Sequence, residues 1–374
     1  MKSEDVASFF VYLLMLGLAL ALGLTIVKNA MNDLNIGAMS FLVVGLSIVG
    51  TILINAIFLE LFHALGGIIG GYTVVSINIL GFCWYKNLNK TKFRFSLDFD
   101  GLTGETVLAP KSEKAKPHMF VWLPFLMYLV ELIGGVILYT MGSVKNSTRA
   151  MEFVAAIAVV VITISSMMAL YNFIPLKLDS MTDGYRLTLI AKPANVEAYN
   201  ELMRIENLQR EGKQIDKVKY FEELTNFTAS INLITVYEYL SNKDFDKALK
   251  LIDKMCETPD KISKTTFNRL IAQKLYIKIL TLPLEEAEAY YDAEVGDDIR
   301  RFISNDLSME SLRAYVLIAG MLDKSFGEVQ YASSRKAKAM KRALATRAEI
   351  EEKLYKDAIE MVKKAHPDWE IKLD

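Results

Sequence analysis

The sequence predicts an all-α polytopic membrane protein, with four transmembrane helices, a small β segment between spans two and three, and a soluble α-helical C-terminal domain. Three observations carry that prediction. Nearly all the long apolar runs lie before residue 175. A stretch near residue 95 alternates aromatic and charged residues with a period of two, the signature of a strand. Beyond Asn195 the chain is charged and rich in helix formers. The expected division is a membrane-embedded domain over 1–190 and a cytoplasmic helical domain over 191–374.

The first span is expected at 8–27, a run without charge and long enough to cross a bilayer, which takes about 20 apolar residues. A signal peptide is the competing reading. The run exceeds a usual signal core, and no small-residue cleavage site follows it. A polar loop is expected over 28–37. The second span is expected at 39–63, about 37 Å of helix at about 1.5 Å per residue, with Glu60 and His63 in its last two turns. Gly66-Gly67 and Gly70-Gly71 are expected to break it. Residues 73–86 and 91–100 read as strands of a β segment over 73–109, with Asp100-Gly101 and Gly104 supplying turns.

The third span is expected at 119–141 and the fourth at 151–171. Glu131 lies inside the third, as a carboxyl bonded within the bundle or as an additional metal ligand or proton carrier. Pro175 ends the fourth helix and Asp183-Gly184 reads as a turn. Seven Lys and Arg residues fall between Lys86 and Lys116, against few in the other connecting loops. Positive-inside counting therefore places both termini in the cytoplasm and brings the ends of spans two and four to the same membrane face.

The remainder reads as paired helices over 216–241 with 242–253, and over 264–281 with 284–292. This resembles tetratricopeptide stacking without a strict repeat, or else a plain bundle. A stack would offer a groove to a cytoplasmic protein partner. Residues 335–347 form a basic helix facing solvent or anionic lipid. The net charge of −1 gives no reason to expect nucleic acid binding. Two distant cysteines, Cys83 and Cys256, give neither a disulfide framework nor a metal motif. His118 and His366 are expected at the surface.

The chemistry concentrates in Phe58-Leu59-Glu60-Leu61-Phe62-His63. In His-Glu-x-x-His, two histidines four apart share a helix face and bind zinc, and the glutamate is the general base. Glu60 and the second histidine, His63, are present. Leu59 occupies the first ligand position. After span four come Asn172, Pro175, Asp179 and Asp183-Gly184, at the same membrane face by the charge argument.

Taken together these two stretches resemble the site-2 protease family of intramembrane zinc metalloproteases, peptidase family M50, over roughly 39–190. The order of helix, glycine-rich turn, β segment and two helices is also similar to that family's core. The Gly71-Tyr72 pair, the aromatic β segment and the helical tail resemble a Gram-positive bacterial branch. The resemblance implies Glu60 as catalytic base, His63 and Asp183 as zinc ligands, and Asn172 and Pro175 in the substrate or site loop. It implies cleavage of a membrane protein or peptide near the cytoplasmic face of a bacterial cell membrane.

Leu59 departs from the family pattern and leaves two protein ligands where working zinc sites have three. Glu60 could become a ligand at the expense of the base. Glu131 or Asp179 could substitute, or the leucine could be a replacement introduced into an active enzyme. The other class of function is a pseudoprotease that holds a membrane peptide without cutting it and recruits a partner through its tail. A transporter is disfavoured, because four spans show no paired repeats.

Overall fold

The computed structural model describes residues 3–33, 39–87, 90–97, 103–144, 147–176, 181–210, 213, 218–340 and 348–372. The chain divides into two compact units, Met1–Asn207 and Leu208–Asp374. The expected Asp100-Gly101 turn, Asp179 and the end of the basic helix at 341–347 lie outside the described residues.

Four helices of the first unit are long and apolar enough to cross a membrane. α1 (Ser3–Leu22) runs through a π-helical turn at Gly23–Val27 into α2 (Lys28–Asp33). The first span is therefore Ser8–Asn32, and the loop expected at 28–37 begins as helix. α3 (Ser40–Ile69) carries the second span, α4 (His118–Gly142) the third and α5 (Arg149–Phe173) the fourth. Large apolar side chains such as Phe41, Val130 and Leu46 point outward on these helices, as lipid-facing surfaces require.

α3 runs past Gly66-Gly67 and ends at the second expected pair, with Gly70 as its cap and Gly71 at a φ of 90°. Glu60 and His63 thus stand well inside the helix. The glycines serve close approach. A Cβ on Gly66 would lie 2.6 Å from the Phe120 Cα, and one on Gly67 would lie 2.6 Å from Leu108 Cδ2. Small residues allow the α3 backbone to touch the start of α4, the packing that substitutes for hydrophobic drive inside lipid. Gly135 meets Ile162 in the same way where α4 crosses α5, beside the buried Ala155, Ala156 and Ala158.

The β segment is a four-stranded antiparallel sheet of β1 (Tyr72–Ile79), β2 (Phe82–Asn87), β3 (Lys90–Phe95) and β4 (Gly104–Pro110), in the order β3-β2-β1-β4. The run 73–86, expected as part of a small β-hairpin or sheet, is itself a hairpin. Leu80 and Gly81 turn it with φ of 51° and 93°, the two-residue geometry that matches strand twist. Leu80 N donates to the Thr103 carbonyl, and Gly81 N to Asn78 Oδ1. These bonds offset the strain of a leucine at positive φ.

α6 (Asp183–Ile190) and α7 (Pro193–Arg210) follow α5. Asp183-Gly184 begins a helix, contrary to the expected turn. Thr182 caps it, its Oγ1 accepting from Tyr185 N at 3.2 Å and donating to the Ile174 carbonyl at 2.7 Å. From α7, Asn200 accepts from the Tyr72 hydroxyl and donates to the Ala115 and Glu113 carbonyls, so β1, the 111–117 connection and α7 are tied together.

The regular secondary structure of the second unit is all helical among its described residues. It contains α8 (Asn226–Ser241), α9 (Phe245–Cys256), α10 (Lys264–Thr281), α11 (Leu284–Glu294), α12 (Asp297–Asn305), α13 (Met309–Leu317), α14 (Phe326–Ser334), α15 (Lys336–Met340) and α16 (Ala348–Ala365). The expected pairs form, α8 on α9 and α10 on α11. In an open stack each repeat touches only its neighbours. Here α16 returns to pack on α13 and α8, and the Tyr276 hydroxyl of α10 donates to the Leu354 carbonyl of α16. The unit is a closed bundle. At its centre the buried Arg313 pairs with Glu351 and Gln273, its guanidinium 4.9 Å from the centre of the Tyr276 ring. His366, expected at the surface, is half-buried, stacked 3.8 Å from Trp369 and donating to the Gly320 carbonyl.

Gly66→Ala is expected to destabilise the membrane unit by about 1–3 kcal/mol, because the backbone of α4 has to move. Gly134→Ala, a helical glycine with nothing within 4 Å of its absent Cβ, is expected to be neutral or mildly stabilising. Thermal unfolding of both variants in detergent checks the contrast.

Candidate functional site

An intramembrane carboxylate is expensive unless paired. Glu60 and His63 both point into the protein, at 2% and 7% exposure, and Asp183 is fully buried. The helix spacing puts Glu60 and His63 one turn apart, with His63 Nδ1 3.5 Å from Glu60 Oε2. His63 Nε2 donates to Asp183 Oδ2 at 2.8 Å. Asn172, in the last turn of α5, donates to the same oxygen from Nδ2 at 2.7 Å. The two sequence stretches therefore meet, and Glu60, His63, Asn172 and Asp183 form one connected group.

Pro175 is exposed beyond the end of α5 and does not line the cavity beside these residues. Its effect is to stop the helix, which ends at Phe173. Glu131 is also absent from the cavity wall. Its carboxyl is hydrogen-bonded to Asn55 and Ser165, and Asn55 Nδ2 donates to Ser165 Oγ at 2.9 Å. Glu131 of α4 thus stands beside a polar contact that joins α3 and α5.

Two partners were missed in the sequence. Arg186 donates from an Nη to Asp183 Oδ1 at 2.9 Å. Its signal was legible, since Asp183 and Arg186 are opposite charges three apart at the start of a helix. Thr106 of β4 donates from Oγ1 to Glu60 Oε2 at 2.7 Å and lies 3.1 Å from the Glu60 backbone carbonyl. That contact is made across the fold and has no local signal.

Leu59 stands on the same face as His63, one turn earlier, and packs with Met127, Tyr128 and Met168. It forms part of the wall of a cavity of about 80 Å3 that Glu60, His63, Thr103, Thr106, Tyr128, Arg186 and Tyr199 also line.

The donor set does not fit zinc. Leu59 offers no lone pair. Asp183 Oδ2 already accepts from His63 and Asn172, and Oδ1 from Arg186. His63 uses on Asp183 the nitrogen that a metal would take. A guanidinium on the remaining carboxylate ligand also opposes a dication. Among the described residues, no three His, Cys, Asp or Glu side chains are grouped to hold a metal ion.

Burial alone would raise the Asp183 carboxyl, but the His63 ring, the Arg186 guanidinium and the Asn172 amide hold it below its ordinary value of 3.8. A folded value below the unfolded one means stability that is complete above the ordinary value and is lost as pH falls through the depressed one. The difference in thermal midpoint between the wild type and Asp183→Asn is therefore expected to be steady from neutral pH down to about 4 and to shrink below that. A difference that widened on acidification would contradict an ionised Asp183.

No family of proteins, no curated protein and no solved structure matches the chain.

Proposed function

We propose that this chain is a site-2-protease-like membrane protein that holds a membrane peptide in a protease-type cleft without metal-dependent cleavage. The observation that carries the reading is the state of Asp183, whose oxygens are taken by His63, Asn172 and Arg186, with Leu59 in the first ligand position. The residues that the family resemblance implies are brought together, and Asp183 accepts from two of them and from Arg186.

Peptide binding is supported by the sheet. β4 is the terminal strand, and its residues Gly104, Glu105, Thr106 and Leu108 line the cavity with Thr103. A terminal strand offers unpaired backbone groups to an extended segment, the commonest way a sheet captures a peptide. In this reading the positively charged loops place both termini in the cytoplasm of a bacterial cell. The helical bundle is then available there to a protein partner.

The metallopeptidase reading, with Glu60 as base and zinc on His63 and Asp183, requires Arg186 to release Asp183 and a third ligand to be supplied. Elemental analysis of detergent-purified protein, free of any metal-binding tag, separates the two. The wild type is expected to carry no stoichiometric zinc. The double variant Leu59→His with Arg186→Gln is expected to gain about one zinc per chain, the third protein ligand being restored, and to lose it on further change of His63→Ala. Stoichiometric zinc in the wild type, abolished by His63→Ala, would overturn the proposal in favour of the enzyme.

A further inference from the structure

The sheet carries an exposed plate of aromatic rings. In the β2–β3 ladder Phe82 pairs with Phe95 and Trp84 with Phe93, so these side chains share one face. The rings touch, with centres 5.6 Å apart for Phe82 and Phe95 and 5.5 Å apart for Trp84 and Phe93. Each is exposed, Phe95 at 61%. The next pair on that face is Lys86 with Thr91. A contiguous exposed apolar patch marks a surface that something covers.

The same face packs on α3 at the other side of the sheet. β1 pairs Ile77 with both Trp84 and Thr106, and Ile79 with both Phe82 and Gly104. Thr106 donates to Glu60, a Cβ on Gly104 would lie 3.0 Å from Glu60 Cγ, and Leu108 meets Gly67. β4 and β1 therefore pack on α3, and β2 and β3 carry that face out beyond it. The ladder also sets levels along α3. Phe82 and Phe95 stand at the level of Glu60, and Lys86 stands at the end nearer Gly67. Over the same turns α3 presents Leu61, Leu65 and Ile68, all exposed.

We propose that this overhanging face is a binding site for an anionic phospholipid of the adjoining leaflet. Its rings lie against the acyl chains, and Lys86, Lys92 and Arg94 meet the phosphate. The span Phe41–Ile69 is about 43 Å long, the thickness of a bilayer with its headgroups, about 40–45 Å. The stretch from Glu60 to Ile69, about 13 Å, then crosses from the edge of the hydrocarbon into the headgroups. Phe82 and Phe95 fall at the deep end, Trp84 between and Lys86 outermost, the order in which a membrane interface holds such side chains. Lys92 and Arg94 are exposed on the opposite face. Arg94 pairs with Cys83, yet its guanidinium leans over the Tyr85 ring, 5.3 Å from its centre and toward the Lys86 end. A long cation bends in this way when its stem lies in lipid.

Charge and continuity select this occupant. The cations match an anionic headgroup, each one near the surface adding about fivefold in affinity. The plate also continues the lipid-facing surface of α3. A second copy joined through the β3 edge would set Lys92 and Arg94 against their counterparts, and like charges opposed across a ladder repel. The lipid site does not depend on what the cleft beside Glu60 holds.

The test uses the full chain with Trp122→Phe and Trp369→Phe, which leaves Trp84 as its tryptophan. The protein is reconstituted in phosphatidylcholine vesicles containing about a fifth phosphatidylglycerol, with bromine on the acyl chains of one lipid or the other to quench a tryptophan in contact with it. Trp84 emission is expected to be quenched by both, with brominated phosphatidylglycerol about fivefold or more as effective per molecule. The triple change Lys86→Gln, Lys92→Gln and Arg94→Gln is expected to abolish that preference and keep the quenching by phosphatidylcholine, with thermal unfolding as the folding control. Lys114→Gln, which removes an exposed cation off the hairpin, is expected to change neither. Equal quenching by the two lipids before the triple change, or a preference that survives it, would overturn the anionic site. Absence of quenching by either lipid would overturn the lipid reading altogether. Access of acrylamide to Trp84 would then mean open solvent, and its exclusion together with cross-linking into dimers would mean a second copy.

Discussion

The Asp183 carboxylate organises the membrane unit. It is fully buried and accepts from a ring on α3, an amide on α5 and a guanidinium on its own helix. A carboxylate buried without partners is among the most unfavourable arrangements a fold can contain. The three donors therefore define where α3, α5 and α6 must lie. Thr182 fixes the helix start that presents Asp183, and Gly184 lets that start press against the Phe173 carbonyl at the end of α5. The N-terminus of α6 adds the favourable end of a helix dipole to the same carboxylate.

Helix spacing decides the rest of the group's form. Leu59 and His63 share a face, so any ligand position before His63 falls where Leu59 now packs against Met127 and Met168. A leucine there makes part of the cavity wall apolar, while Glu60, Thr106 and Arg186 make other parts of it polar. The leucine at that position, with a guanidinium on Asp183, separates this arrangement from a three-ligand metal centre.

Much of this was legible in the sequence. The four spans stand out because uncharged runs of that length have few other uses, and their limits were read to within a few residues for α4 and α5. The meeting of Glu60, His63, Asn172 and Asp183 followed from two short motifs at one membrane face. Other features were hidden for specific reasons. Glycines that look like breaks in α3 lie inside the helix, because Gly66 and Gly67 are there for contact with Phe120 and Leu108. The Leu80-Gly81 turn sits inside an apolar run, and its stabilising partner, the Thr103 carbonyl, is distant in sequence. Asp183-Gly184 has turn composition, yet the threonine before it caps a helix.

Three buried polar groups held together invite the argument that only catalysis would retain them. The hydrogen bonds supply another reason. Removing His63 would leave Asp183 Oδ2 with the Asn172 amide alone, and removing Asp183 would leave Arg186 without its ion-pair partner and His63 with Glu60 alone. In a low-dielectric interior, deleting one member of such a group is far more damaging than replacing the whole group by apolar residues of the same volume. Single substitutions are thereby resisted whether or not the protein cleaves anything. The persistence of Glu60, His63 and Asp183 together is consequently a statement about mutual pairing.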